Sequence, residues 1–121
     1  MKAWLIVGAS LAGISVLLGA FGAHGLKSKV SPEDLLIFET GVRYHMAHAL
    51  GLILISLIGF QFSQDIIQLP AYLFSTGILI FSGSLYLLVL TNTRWLGAIT
   101  PIGGLCFIAG WFILVYNLYK S

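Results

Sequence analysis

The stretch IIQLPAYLFSTGILIFSGSLYLLVLTNT, residues 66–93, runs from Asp65 to Arg94 without one charged side chain. Its 28 residues exceed the ~20 that carry a helix across ~30 Å of hydrocarbon. Soluble domains carry about 25% charged residues. Here the figure is 8%, with 59% hydrophobic residues and a mean hydropathy of +1.01. Such a chain cannot cover a water-facing surface, so the run reads as a transmembrane helix.

The same test divides the rest of the chain. Lys2 to Lys27 encloses 24 uncharged residues, Arg43 to Asp65 encloses 21, and Arg94 to Lys120 encloses 25. The expectation is an all-α integral membrane protein, a four-helix bundle in one domain over residues 1–121. Its helices are placed at about 3–23, 43–62, 70–90 and 96–118. The first resembles a secretory signal in its basic start, but its apolar run is longer than a typical signal core, so it reads as a retained helix. Net charge is only +2 and scattered, which argues against a nucleic-acid partner. The lone Cys106 excludes an internal disulfide and a cysteine-based zinc site.

The one long connection, about residues 25–42, contains SPED. Ser31 reads as a helix N-cap, Pro32 as the first helical residue, and Glu33 and Asp34 as first-turn acids near the positive dipole end. A short interfacial helix over 32–42 is expected, bending at Gly41 into the second span, with Glu39 and Arg43 paired at i,i+4. Pro70 suits the start of the third span, and TNTRW makes the last two helices a tight hairpin. Lys27, Lys29, Arg43 and Arg94 share one face, against Lys2 and Lys120 on the other. The positive-inside bias therefore places both termini outside a cell membrane.

Small residues recur on helix one at Gly8, Ala12, Ser15, Gly19 and Gly22, and on helix four at Gly103, Cys106 and Gly110. In lipid such stripes let backbones approach closely. They point to packing within the bundle, or to a second protomer and hence a homo-oligomer. Ser82 and Ser84 lie roughly 200° apart on a helix and cannot serve one site.

His24 closes helix one on the side where Arg43, Tyr44, His45 and His48 open helix two, and Arg94 arrives there from the third loop. The expected site is a polar cluster of His24, Glu39, Arg43, Tyr44, His48 and Arg94, with His24 reaching Tyr44 and His48. Ordered along the chain, GAFGAHGLK, TGVRYHMAHAL, FSGSLYLL, TPIGG and GW together resemble the YgdD-like family. These are small, uncharacterised inner-membrane proteins (domain of unknown function 423) with animal relatives called transmembrane protein 256. The resemblance implies a four-helix membrane protein and supplies no activity, ligand or cofactor. In the family pattern one histidine precedes Ala-Leu, which is His48 here. Position 45, usually glutamine-like, is His45, a departure that makes it a poor carrier of any shared role.

His24, His45 and His48 with Glu39 lack a tight metal-ligand motif, and no nucleophile–base pair or phosphate loop is present. No metal, cofactor or enzymatic activity is therefore expected. The favoured reading is a structural or partner-binding membrane component, with membrane lipid around it. The alternative is a small transporter or channel component moving a proton or small ion past His24 and His48, through Ser82, Ser84, Tyr86 and water.

Overall fold

In hydrocarbon each backbone polar group must be satisfied within the chain, and this sequence does so with helices. The computed structural model describes residues 2–121. Four helices are long and apolar enough to span a membrane: α1 (Ala3–Leu26), α2 (Pro32–Gln61), α3 (Gln64–Thr91) and α4 (Arg94–Lys120). No strand occurs among the described residues. The helices form a bundle in which α2 and α3 are the inner pair, with α1 packed on α2 and α4 on α3.

Two expected boundaries move. Ser31 caps α2 as expected, its hydroxyl accepting from the Asp34 amide at 3.1 Å with Pro32 in the first turn. The separate interfacial helix does not exist, because α2 runs unbroken through Gly41 to Gln61. Gly41 serves close approach rather than a bend. A Cβ there would lie 2.9 Å from the Tyr86 ring of α3, and Ser82 Oγ donates to the Gly41 carbonyl at 2.6 Å.

The second correction concerns Pro70, which lies inside α3 and not at its start. A proline has no N–H and leaves the carbonyl four residues earlier without its helical partner. Here that carbonyl belongs to Ile66, and Asn117 Nδ2 of α4 donates to it at 2.9 Å. At the other end of α3, Asn92 adopts the left-handed conformation at φ 55 and stops the helix. Pro101 sits in the first turn of the α-helical part of α4, after a 3-10 turn over Arg94–Ala98.

Both small-residue stripes are filled from within the chain. On α1, Gly8 meets Ile53 and Ala49, Gly19 faces Val42, and Gly22 faces Phe38, all on α2; Ser15 is fully buried between them, its hydroxyl bonded to the Ala12 carbonyl. On α4, a Cβ at Gly103 would collide with the Phe81 backbone, and one at Gly110 would lie 2.7 Å from the Phe74 ring. The glycines of both stripes thus serve close packing between helices of the same chain.

Two apolar clusters set the depth of the bundle. Leu52, Ile55, Ile67 and Phe74 are fully buried toward the far half, and Leu26, Phe38, Leu88 and Val89 pack near the first and third loops. The outward faces of α1 and α4 expose Leu17, Leu105 and Phe112, as lipid contact requires. Arg94 makes two hydrogen bonds to Asp34, at 2.9 and 2.7 Å. That pair ties the third loop to the start of α2, so the first and third loops share one face.

Candidate functional site

The position of each polar residue follows from helix rise. At 1.5 Å per residue, Arg43 stands about 27 Å along α2 from Gln61, near the opposite edge of ~30 Å of hydrocarbon. His48 stands about 7.5 Å deeper. Asp34 lies beyond the hydrocarbon altogether, where the hydrogen-bonded Arg94 guanidinium holds its carboxyl below the usual carboxylate range.

His48 is buried and fully engaged. Trp111 Nε1 can only donate, and it donates to His48 Nε2 at 3.0 Å. Nε2 therefore carries the lone pair, which leaves the ring proton on Nδ1. Nδ1 donates to the Tyr44 carbonyl at 2.9 Å, a group that can only accept. The two bonds agree on one neutral tautomer. The ring also stacks on Phe107, with centroids 3.6 Å apart and planes 9° from parallel. His48 is thus a clasp between α2 and α4.

Around this clasp lies a groove between α2, α3 and α4. A cleft of about 360 Å³ is lined by Tyr44, His48, Phe81, Phe107, Ile108 and Trp111, with Gly104 at its edge. A second, of about 200 Å³, is lined by Arg43, Tyr44, Ala47 and His48. Because Tyr44 and His48 line both, the two form one surface leading from Arg43 inward. Its wall is aromatic: Tyr44 packs on Phe81 at 4.7 Å between centroids and Phe81 on Phe107 at 5.5 Å.

The structure brings together only part of the expected cluster. Arg43, Tyr44 and His48 share the groove. His24 is exposed, makes no hydrogen bond to any described residue, and does not join them. The reason is angular: Gly22 and Leu26 are the buried residues of that turn, and His24, two residues from each, points about 200° away. Glu39 and Arg43 are both exposed and do not pair, since the ion pair among the described residues is Arg94 with Asp34. Arg94 is thereby held at the third loop.

His45 turns out to be a core residue. Its Nδ1 lies 2.8 Å from the Tyr86 hydroxyl of α3, while its buried Nε2 has no hydrogen-bond partner among the described residues. Ser84 bonds to Thr100 of α4 and to the Phe81 carbonyl, on a different side from Ser82. No three His, Cys, Asp or Glu side chains among the described residues come together as metal ligands. Sequence reasoning missed Phe81, Phe107 and Trp111 as groove residues. Trp111 carried one signal, an indole N–H near mid-span where a donor must find an acceptor.

Fold and groove together define a four-helix integral membrane protein with a lateral, aromatic-walled site. Within that class the chain belongs to the DUF423 family: residues 18–104 match the family described as "Protein of unknown function (DUF423)". It is 48% identical over 120 residues to the UPF0382 membrane protein SH2409 of Staphylococcus haemolyticus, covering 99% of this chain and 98% of that one. The UPF0382 membrane protein YwdK of Bacillus subtilis is 46% identical over 121 residues, with the same coverage. The UPF0382 membrane protein SERP0230 of Staphylococcus epidermidis is 50% identical over 120 residues, again covering 99% and 98%. No solved structure matches the chain.

Proposed function

We propose that this chain is a binding component of the cell membrane, neither enzyme nor conduit, which receives an apolar or amphipathic partner sideways from the bilayer. The observation that carries the reading is the groove itself. It opens between α2, α3 and α4, and Tyr44 and Trp111, 41% and 37% exposed, form part of its wall. Ligand sites are mostly apolar concavities with few polar groups, and this one has Arg43 at its outer end.

The depth profile supports binding over passage. The bonds of Ser82, Ser84, Tyr86 and His45 lie in the half nearer the first and third loops, and each hydroxyl has a partner within the chain. Beyond them Leu52, Ile55, Ile67 and Phe74 are fully buried and mutually packed, and the buried hydroxyls of that half are not linked to one another: Ser56 bonds to the Leu52 carbonyl of its own helix, and Ser75 has no partner among the described residues. His48, with both nitrogens engaged, has no free site for a travelling proton.

A photoreactive residue placed at Ile108, in the groove, and separately at Leu17, on the outer face of α1, tests the reading. One predominant adduct at 108, against a diffuse spread at 17, is expected after illumination of intact membranes. Equal, diffuse labelling at both positions overturns it. In proteoliposomes loaded with a pH-sensitive dye, a proton leak above that of empty vesicles would favour transport instead.

A further inference from the structure

We infer that the groove's occupant is one acyl chain of a phospholipid with an anionic headgroup, its phosphate held by Arg43. The inference rests on the groove being a lateral binding site and assigns its ligand.

Arg43 is the charged residue lining the groove, and it has no hydrogen-bond or ion-pair partner among the described residues. Arg94, the other arginine of that face, is held by Asp34. Helical side chains lean toward the helix N-terminus, which for α2 is the first-loop side. The Arg43 guanidinium therefore reaches toward the boundary, where long cationic side chains settle. Glu39, one turn nearer the boundary on the same helix, is not within ion-pair distance of Arg43, so the guanidinium is left to an anion at the boundary, and the lipid phosphate is the anion there.

Inward of Arg43 the chemistry changes completely. The ring nitrogens of His48 are taken by Trp111 and by the Tyr44 carbonyl, and the rest of the wall is aromatic or aliphatic. A sugar or a peptide backbone would leave polar groups unpaired in such a place, at a cost that an alkyl chain avoids. The length also fits. Trp111 stands nine residues before Lys120, or about 13.5 Å from that end of α4. The groove thus runs from the boundary at Arg43 to roughly the bilayer midplane, which is the depth of one leaflet.

The test uses the full-length chain carrying W4F and W95F, so that Trp111 alone fluoresces, in vesicles containing lipids brominated on the acyl chain. Brominated phosphatidylglycerol should quench Trp111 with about a fivefold preference over brominated phosphatidylcholine, the scale of one arginine near an anionic lipid surface. R43Q should make the two lipids equal, and R43K should keep most of the preference. Equal quenching by both lipids in the unaltered groove overturns the headgroup assignment while leaving a lipid-filled groove. Protection of Trp111 from both lipids overturns the inference and the lipid-facing site together, and an adduct from 108 to a second copy of the chain would then identify a protein occupant. Should the W4F/W95F chain not fold, mass spectrometry of co-purified lipid decides the matter: phosphatidylglycerol enriched on the wild type and absent from R43Q is expected. Equal amounts on both overturn the assignment.

Discussion

At the scale of single residues, the arrangement around His48 shows how a polar side chain is carried at depth in a membrane. An imidazole in hydrocarbon needs both nitrogens satisfied, since each unpaired group there costs free energy. Trp111 and the Tyr44 carbonyl meet that need, and Phe107 covers the ring face. The energetic consequence is testable by a double-mutant cycle. H48F leaves the Trp111 N–H without an acceptor, and W111F leaves His48 Nε2 without a donor. Each is expected to destabilise by about 1–3 kcal/mol, the cost of a buried unpaired group. The double variant removes both orphans, so it should cost less than the sum, with a coupling of about 0.5–2 kcal/mol. Thermal unfolding in detergent measures all four corners. Strictly additive losses would mean that the bond contributes nothing.

Among elements, the pairing of α3 with α4 depends on a repair. Pro70 removes the hydrogen bond that the Ile66 carbonyl would otherwise receive, and Asn117 supplies it from the neighbouring helix. N117A should therefore lower stability by about 1–2 kcal/mol. In a P70A background the helix recovers its own donor, so the same substitution should cost markedly less. An N117A penalty that is identical in both backgrounds would show that the side chain acts elsewhere. This relation also marks how far the sequence could be read. Four charge-free runs, the Ser31 cap and the glycine stripes were legible because length, capping and close packing leave local signals. The starts of α2 and α3 were not, because residues 32–42 and 64–69 are helical ahead of the expected spans and nothing in their composition says where the lipid begins. The groove was less legible still. A helix apolar all round carries no directional pattern, so the spacing of Tyr44 and His48 says nothing about whether Phe107 or Trp111 will face them. His24 illustrates the reverse error: it lay at the right depth, on the wrong side of its helix.

For the whole molecule, the remaining variable is orientation, and it bears on what Arg43 would meet. The Asp34–Arg94 bonds place the first and third loops on one face, and the Trp4–Gln68 bond sets the start of α1 beside the start of α3 at the other. Lys27, Lys29, Arg43 and Arg94 therefore count together, against Lys2 and Lys120, while the turn between α2 and α3 carries no basic residue. Basic residues near helix ends are retained in the cytoplasm, which predicts cytoplasmic first and third loops with both termini outside. That orientation also puts Arg43 in the cytoplasmic leaflet, where anionic headgroups give the surface its negative potential. The two inferences thus lean on one arrangement but are measured separately. Alkaline phosphatase fused after Ser121 should be active, and a green fluorescent protein at the same place should stay dark. Because the margin is two basic residues, K27Q and K29Q combined with Q61K should shift part of the population to the opposite orientation. A fluorescent C-terminal fusion of the unaltered chain would reverse the orientation. The groove would then open to the outer leaflet, and the lipid preference at Arg43 would have to be measured against that leaflet's composition.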